Sequence, residues 1–160
     1  MQIPSDTPPL GLGTLLRALL AQLEPAVEQA YANADPLMRS RYYPVFRALL
    51  MRGPATVGAI AREAGVSQPA MTQTIRQMAE DGLLEIALGD DRRARLVRLS
   101  ARGEEAVATL RPVWSAVAGA AATMERETGV DLAADLQRVL DALEQCGFAA
   151  RIARAQGEAV

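Results

Sequence analysis

Between Ser67 and Arg76 the chain gathers side chains suited to reading the edge of a base pair. Glutamine can pair bidentately with adenine, and arginine can fork onto guanine or a phosphate. Gln68, Gln73 and Arg76 are therefore candidates for base contact, and Thr72 for a phosphate bond or a methyl contact with thymine. Ser67, Pro69 and Ala70 are compact, which lets the backbone approach closely. Further on, Arg92, Arg93 and Arg95 form a second basic group, placed to reach a phosphate backbone or an adjacent minor groove. Each contact has a plainer counterpart, because polar residues on a helix face or hairpin tip also serve as a solvated surface.

Such side chains need elements to hold them. Thr56 can cap a short helix containing Val57, Ile60 and Ala61, and Ala64-Gly65-Val66 reads as a tight turn with glycine at positive φ. Ser67 then caps another helix, with Pro69 in its first turn and Gly82 just past its end. Along it Met71, Ile75 and Met78 share one face, which leaves Gln68, Thr72, Gln73 and Arg76 on the other. Helix, glycine turn and helix with a polar outer face form a helix-turn-helix, whose second helix suits the major groove. Residues 83–88 and 95–99 read as two short strands around Gly89-Asp90-Asp91, a hairpin carrying the second arginine group.

The flanks are helical by period. Residues 1–9 hold three prolines and read as a flexible arm without a signal-peptide pattern. Leu12, Leu15, Leu16, Leu19 and Leu23 start a first helix that Pro25 should kink or interrupt. Ser40 is the expected cap of a second helix with Pro44 in its first turn and Val45, Phe46, Leu49 and Leu50 facing inward. After Ser100, an apolar seam runs through Val107, Leu110, Trp114, Val117, Ala121 and Met124, with Pro112 expected to bend it. Beyond Gly129, Leu132, Leu136, Val139, Leu143 and Cys146 continue the pattern on one last helix. Such stripes are readily buried against a second copy of the chain in a twofold dimer.

Composition excludes several classes. The chain has 160 residues, no histidine and one cysteine, which removes the usual zinc and haem sets and any histidine-centred triad. No nucleophile–base pair or phosphate loop is evident, so an enzyme is not expected, nor is a metal or cofactor. Lone cysteine usage and the lack of a long apolar run fit a cytoplasmic protein. The formal charge of −2 is unevenly spread. Residues 39–102 hold eleven arginines against six carboxylates, a net of +5, while the remainder holds six against thirteen, a net of −7. A basic middle between acidic ends marks one lobe for phosphates.

Over residues 56–103 the sequence resembles the MarR family of winged-helix regulators. The resemblance is carried by TVGAIAREAGVSQPAMTQTIRQMAEDGLL, by Asp91-Arg92-Arg93 as a D-x-R wing motif, and by VRLSARG ending at Gly103. It implies a homodimer, residues 67–81 as the recognition helix, Arg93 as the wing arginine and Asp91 as a residue that steadies the wing. It further implies that a small aromatic or phenolic effector binds near the joint between first helix and DNA lobe. Tyr31, Arg39, Tyr42, Tyr43 and Phe46 are the residues available there, with packing as their equally good alternative. The first wing strand departs from the family pattern, since Glu85-Ile86-Ala87-Leu88 has no basic residue. Cys146 reads as a small hydrophobe of the last seam, and Trp114 as part of a dimer interface.

The expected fold is mainly α with a two-stranded β-wing. It comprises a flexible arm (1–9), an N-terminal dimerisation helix (10–34), a winged helix-turn-helix lobe (35–100) and C-terminal dimerisation helices (101–160). The expected function is transcription regulation through double-stranded DNA, as a homodimeric and ligand-responsive repressor on a pseudo-palindromic operator. The alternative is a winged-helix protein-interaction module that has lost DNA binding.

Overall fold

The computed structural model describes residues 10–88 and 95–158. The leucine spacing builds α1, Leu12–Ala34, which runs unbroken through Pro25. The expected interruption does not occur, because one missing N–H among the bonds of a 23-residue helix leaves the rest of the ladder intact. Leu12, Leu15, Leu20 and Leu23 are exposed, whereas Val27, Tyr31 and Ala34 pack on the core.

A 3₁₀ turn, Ser40–Tyr42, leads into α2, Tyr43–Arg52, with Pro44 in the first turn. Ser40 does not cap α2 as expected. Its backbone N–H donates to Glu28 Oε1 of α1 at 3.1 Å, and its hydroxyl bonds the same oxygen, so a carboxylate from α1 captures it. Val45, Phe46, Ala48 and Leu49 form the inner face of α2, while Leu50 turns outward.

Next come β1 (Ala55–Thr56), α3 (Val57–Ala64), α4 (Gln68–Glu80), β2 (Leu84–Leu88) and β3 (Arg95–Leu99). The sheet has three strands in the order β1-β3-β2, all neighbours antiparallel. Ala55 pairs with Val97 and Thr56 with Leu96, which adds a short third strand to the expected two-stranded wing. A two-residue strand is too short for side-chain alternation to announce it. Ile60, Met71, Ile75, Met78, Leu83 and Val97 fill the space between these helices and the sheet. The hairpin tip and the N-terminal arm, with the readings made for them, lie outside the described residues.

Helix α5, Ala101–Thr128, passes through Pro112 as one helix. Its start is built closely against the end of α4. Ser100 Oγ accepts from Gly103 N at 3.0 Å and donates to the Gly82 carbonyl at 2.6 Å. The apolar seam of α5 divides. Val107 and Leu110 are buried in this chain's own core, and Trp114, partly buried, packs against it.

Two compact units result, one ending at Ser115 and the other beginning at Ala116. The second holds the remainder of α5, then α6 (Leu132–Gln145) and α7 (Phe148–Glu158). The single last helix expected here is two helices, because Cys146 adopts an extended conformation as the C-cap of α6. Arg151 seals the break by donating to the carbonyls of Cys146 and Ala142 at 3.1 and 2.9 Å. Helix α6 buries no residue, and Leu136, Val139, Leu140, Phe148 and Ile152 are exposed. No described helix is long and apolar enough to cross a membrane.

Candidate nucleic-acid interface

The geometry of the helix-turn-helix begins with its caps. Thr56 Oγ1 accepts from Ala59 N at 3.2 Å and opens α3. Gly65, at φ +66°, closes it in the left-handed region, and Val66 N–H returns to the Ala61 carbonyl at 3.1 Å. Ser67 then caps α4 by accepting from Ala70 N at 3.4 Å, with Pro69 in the first turn. Caps and glycine together reverse the chain in the three residues between the two helices.

Helix α4 docks through Met71, Ile75 and Met78, all buried. That docking leaves Ser67, Gln68, Pro69, Thr72, Gln73 and Arg76 exposed. Besides the capping Ser67, two of these side chains are already engaged. Thr72 Oγ1 donates to the Gln68 carbonyl at 2.8 Å, so towards a ligand it offers its methyl group and lone pairs. Gln68 lies over the start of α3, where a Cβ on Gly58 would stand 3.6 Å from Gln68 Oε1. Gln73 and Arg76, both exposed, have no such tether among the described residues.

A groove of about 520 Å³ separates α4 from the wing strands, and Thr72, Arg76, Ile86 and Arg95 are among its lining residues. Arg76 and Arg95, singled out separately in the sequence, thus line one concavity together with Glu80. Ile86 was not singled out, yet it is 48% exposed there. Its alternation with Leu84 suggests a buried position, but the core ends at Leu84 and the groove begins beyond it. Arg98 is not part of this basic face, since its guanidinium pairs with Glu85 across the strands at 2.6 Å. Asp91, Arg92 and Arg93 lie outside the described residues.

The residues singled out at the helix joint separate into two groups. Tyr31, Tyr43 and Phe46 surround Trp114, whose Nε1–H donates to the Tyr31 hydroxyl at 2.8 Å. Burial is the main cause that pushes the Tyr31 phenol up to about 12. Trp114 therefore completes this aromatic cluster, while its partly exposed side chain stays at the surface of the core. Tyr42 belongs elsewhere. Its hydroxyl donates to Asp81 Oδ2 at 2.8 Å, and burial followed by that carboxylate raises its pKa. Arg39 donates to the carbonyls of Pro36 and Met38 and closes its own loop. Asp81 escaped the sequence reading because a carboxylate at a helix end ordinarily needs no partner from a distant turn.

Comparison with known proteins fits this geometry. Residues 38–94 match the model of the MarR family. No curated protein matches the chain. Among solved structures, the Mycobacterium tuberculosis transcriptional regulator MosR, crystallised with DNA, aligns with a TM-score of 0.67 at 22% identity, covering 89% of this chain and 99% of that one. The ligand-free organohalide-sensing regulator RdhR aligns with a TM-score of 0.67 at 18% identity, covering 89% of each chain. Its form bound to 2,4-dichlorophenol aligns with a TM-score of 0.60 at 16% identity, covering 91% of this chain and 89% of that one. At these identities the structural likeness speaks for the fold, and the family match is confined to the stretch that holds α2, α3, α4 and β2. Residues 38–94 thus match the MarR family model, and the chain shares the winged helix-turn-helix fold of these regulators.

Proposed function

We propose that this protein is a sequence-specific transcription regulator that binds double-stranded DNA through α4 and the wing. The observation that carries the proposal is the exposed polar face of α4, with Gln73 and Arg76 directed outward and Arg95 sharing a groove with Arg76. A helix of this kind fits the major groove, and arginines beside it fit the flanking phosphates. The net charge of +5 over residues 39–102 supports the same role, as does the MosR structure with DNA. Ser67, Gln68, Pro69 and Thr72 border the contact, and Arg92, Arg93 and Asp91 belong to the proposed wing.

The regulator acts as a homodimer. The exposed leucines of α1 and the exposed apolar residues of α6 and α7 supply surface for a twofold interface. Two recognition helices then address half-sites about 10 bp apart on a pseudo-palindromic operator, and occupancy there represses transcription. RdhR is an organohalide sensor crystallised with 2,4-dichlorophenol, which supports a small aromatic or phenolic effector here. Tyr31, Tyr43 and Phe46 around Trp114 are the candidate residues for it. Such an effector works by binding the DNA-competent and DNA-incompetent states with different affinity.

Selection from a random duplex pool tests the proposal. Wild-type protein is expected to enrich two related half-sites about one helical turn apart, and Gln73→Ala is expected to relax the preference at one position of each half-site. Recovery of unrelated duplexes by the wild type would refute sequence-specific reading.

A further inference from the structure

A helix docked only through an apolar stripe keeps a soft degree of freedom. Apolar burial scales with area and has no direction, so Met71, Ile75 and Met78 can hold α4 in place without fixing its tilt. Base recognition needs that tilt, because hydrogen bonds weaken steeply with misalignment. At its N-terminal end α4 is set by the Ser67 cap and by Gln68 lying over α3. At its other end three side-chain donors converge on Asp81.

Those three bonds are not equivalent. Gln77 Nε2 donates to Asp81 Oδ1 at 3.2 Å, but Gln77 belongs to α4 and moves with it. Arg102 Nη1 donates to the Asp81 carbonyl at 2.6 Å from an exposed, rotamer-rich side chain. Tyr42 donates to Asp81 Oδ2 at 2.8 Å from a ring that is 1% exposed, with the Arg41 guanidinium 5.6 Å from its centroid. A buried ring on two side-chain torsions gives up little freedom in holding that bond. Its neighbour Tyr43 packs edge-on against Trp114 at 5.5 Å. Two consecutive tyrosines thus connect the aromatic cluster to the end of α4.

We infer that Tyr42 is a positioning residue for DNA reading: its buried hydroxyl, bonded to Asp81, sets the tilt at which α4 presents Gln73 and Arg76 to a base pair. The inference rests on the DNA-binding role proposed above and adds a residue that makes no DNA contact itself.

The test measures discrimination rather than stability. Tyr42→Phe keeps the ring and removes one hydroxyl, while Asp81→Asn keeps an acceptor oxygen. Affinity for the duplex selected by the wild type is compared with affinity for a scrambled duplex, far below the melting temperature of each variant. Tyr42→Phe is expected to lower the ratio of the two affinities about tenfold. Affinity for the scrambled duplex is expected to hold, since phosphate contacts need no fixed tilt. Asp81→Asn is expected to keep most of the ratio. A lower Tm with an unchanged ratio would show that the bond only stabilises the fold and would overturn the inference. An equal loss of affinity for both duplexes would overturn it as well. If the wild type itself prefers no duplex, the DNA-reading proposal fails and this inference falls with it, a result distinct from an intact wild-type ratio.

Discussion

The indole N–H of Trp114 donates to the hydroxyl of Tyr31, 83 residues earlier in the chain, and so ties α5 to α1. Tyr43 meets the same indole edge-on and Phe46 lies at 6.1 Å in a tilted arrangement. The bond explains why a seam that reads as interface in the sequence is partly internal. A buried indole N–H needs an acceptor, and a tyrosine on the neighbouring helix supplies one inside the same chain.

This bond gives a pH prediction. Tyr31 is held up to about 12 from the ordinary 10, mainly by burial. The folded state therefore keeps the neutral phenol where the unfolded chain would ionise it. The resulting stability is fully present below pH 10 and is lost as pH rises towards 12. Trp114 is the only tryptophan, so its emission reports the change. In a Tyr43→Phe background, the quenching step that Tyr31→Phe removes is expected near pH 12. A step near pH 10 would show that Tyr31 is not shielded.

Gly103 is required at the start of α5. A Cβ there would stand 2.2 Å from the Leu83 carbonyl oxygen, which is backbone and cannot swing away. Gly103→Ala is expected to destabilise the fold by about 2–3 kcal/mol, measured by urea unfolding. A change within about 0.5 kcal/mol, the range of an ordinary surface substitution, would mean that the α5 start relaxes freely.

The proposed dimer has its own test. Val139 and Leu140 are exposed on α6, a helix with no buried residue. Val139→Asp with Leu140→Asp is expected to shift the sedimentation mass from twice 17.1 kDa to the single-chain value. Operator affinity should then fall, because two linked half-site contacts become one. A wild type that sediments as a monomer would remove the basis for a palindromic operator.

How far the sequence reached depends on how local each signal is. The caps Thr56 and Ser67, the left-handed Gly65 and the inward Met71, Ile75 and Met78 were all legible, because each depends on residues a few positions apart. The strand β3 was legible to the residue. What was missed is non-local. Ser40 reads as a helix cap until Glu28 of α1 takes its hydroxyl. Strand β1 exists only because Val97 and Leu96 lie beside it. Asp81 acquires a role only when Tyr42 arrives from another element. The break at Cys146 carries no proline, and Gly147 follows it as a weak stop signal. The prolines suggested breaks that do not occur. Pro25 and Pro112 sit inside continuous helices, where the lost N–H is a small part of a long ladder.

The measurement that tests the central claim most directly is equilibrium binding of the purified protein to its selected duplex, followed by fluorescence anisotropy across a salt series. The wild type is expected to lose affinity by about a thousandfold between about 50 and 200 mM salt, as phosphate contacts release counterions. Arg76→Ala should bind more weakly, with a shallower slope by about one if Arg76 meets a phosphate, or with an unchanged slope and relaxed preference if it meets a base. Absence of binding to any duplex at the lowest salt would contradict the account and leave the winged helix as a protein-interaction module.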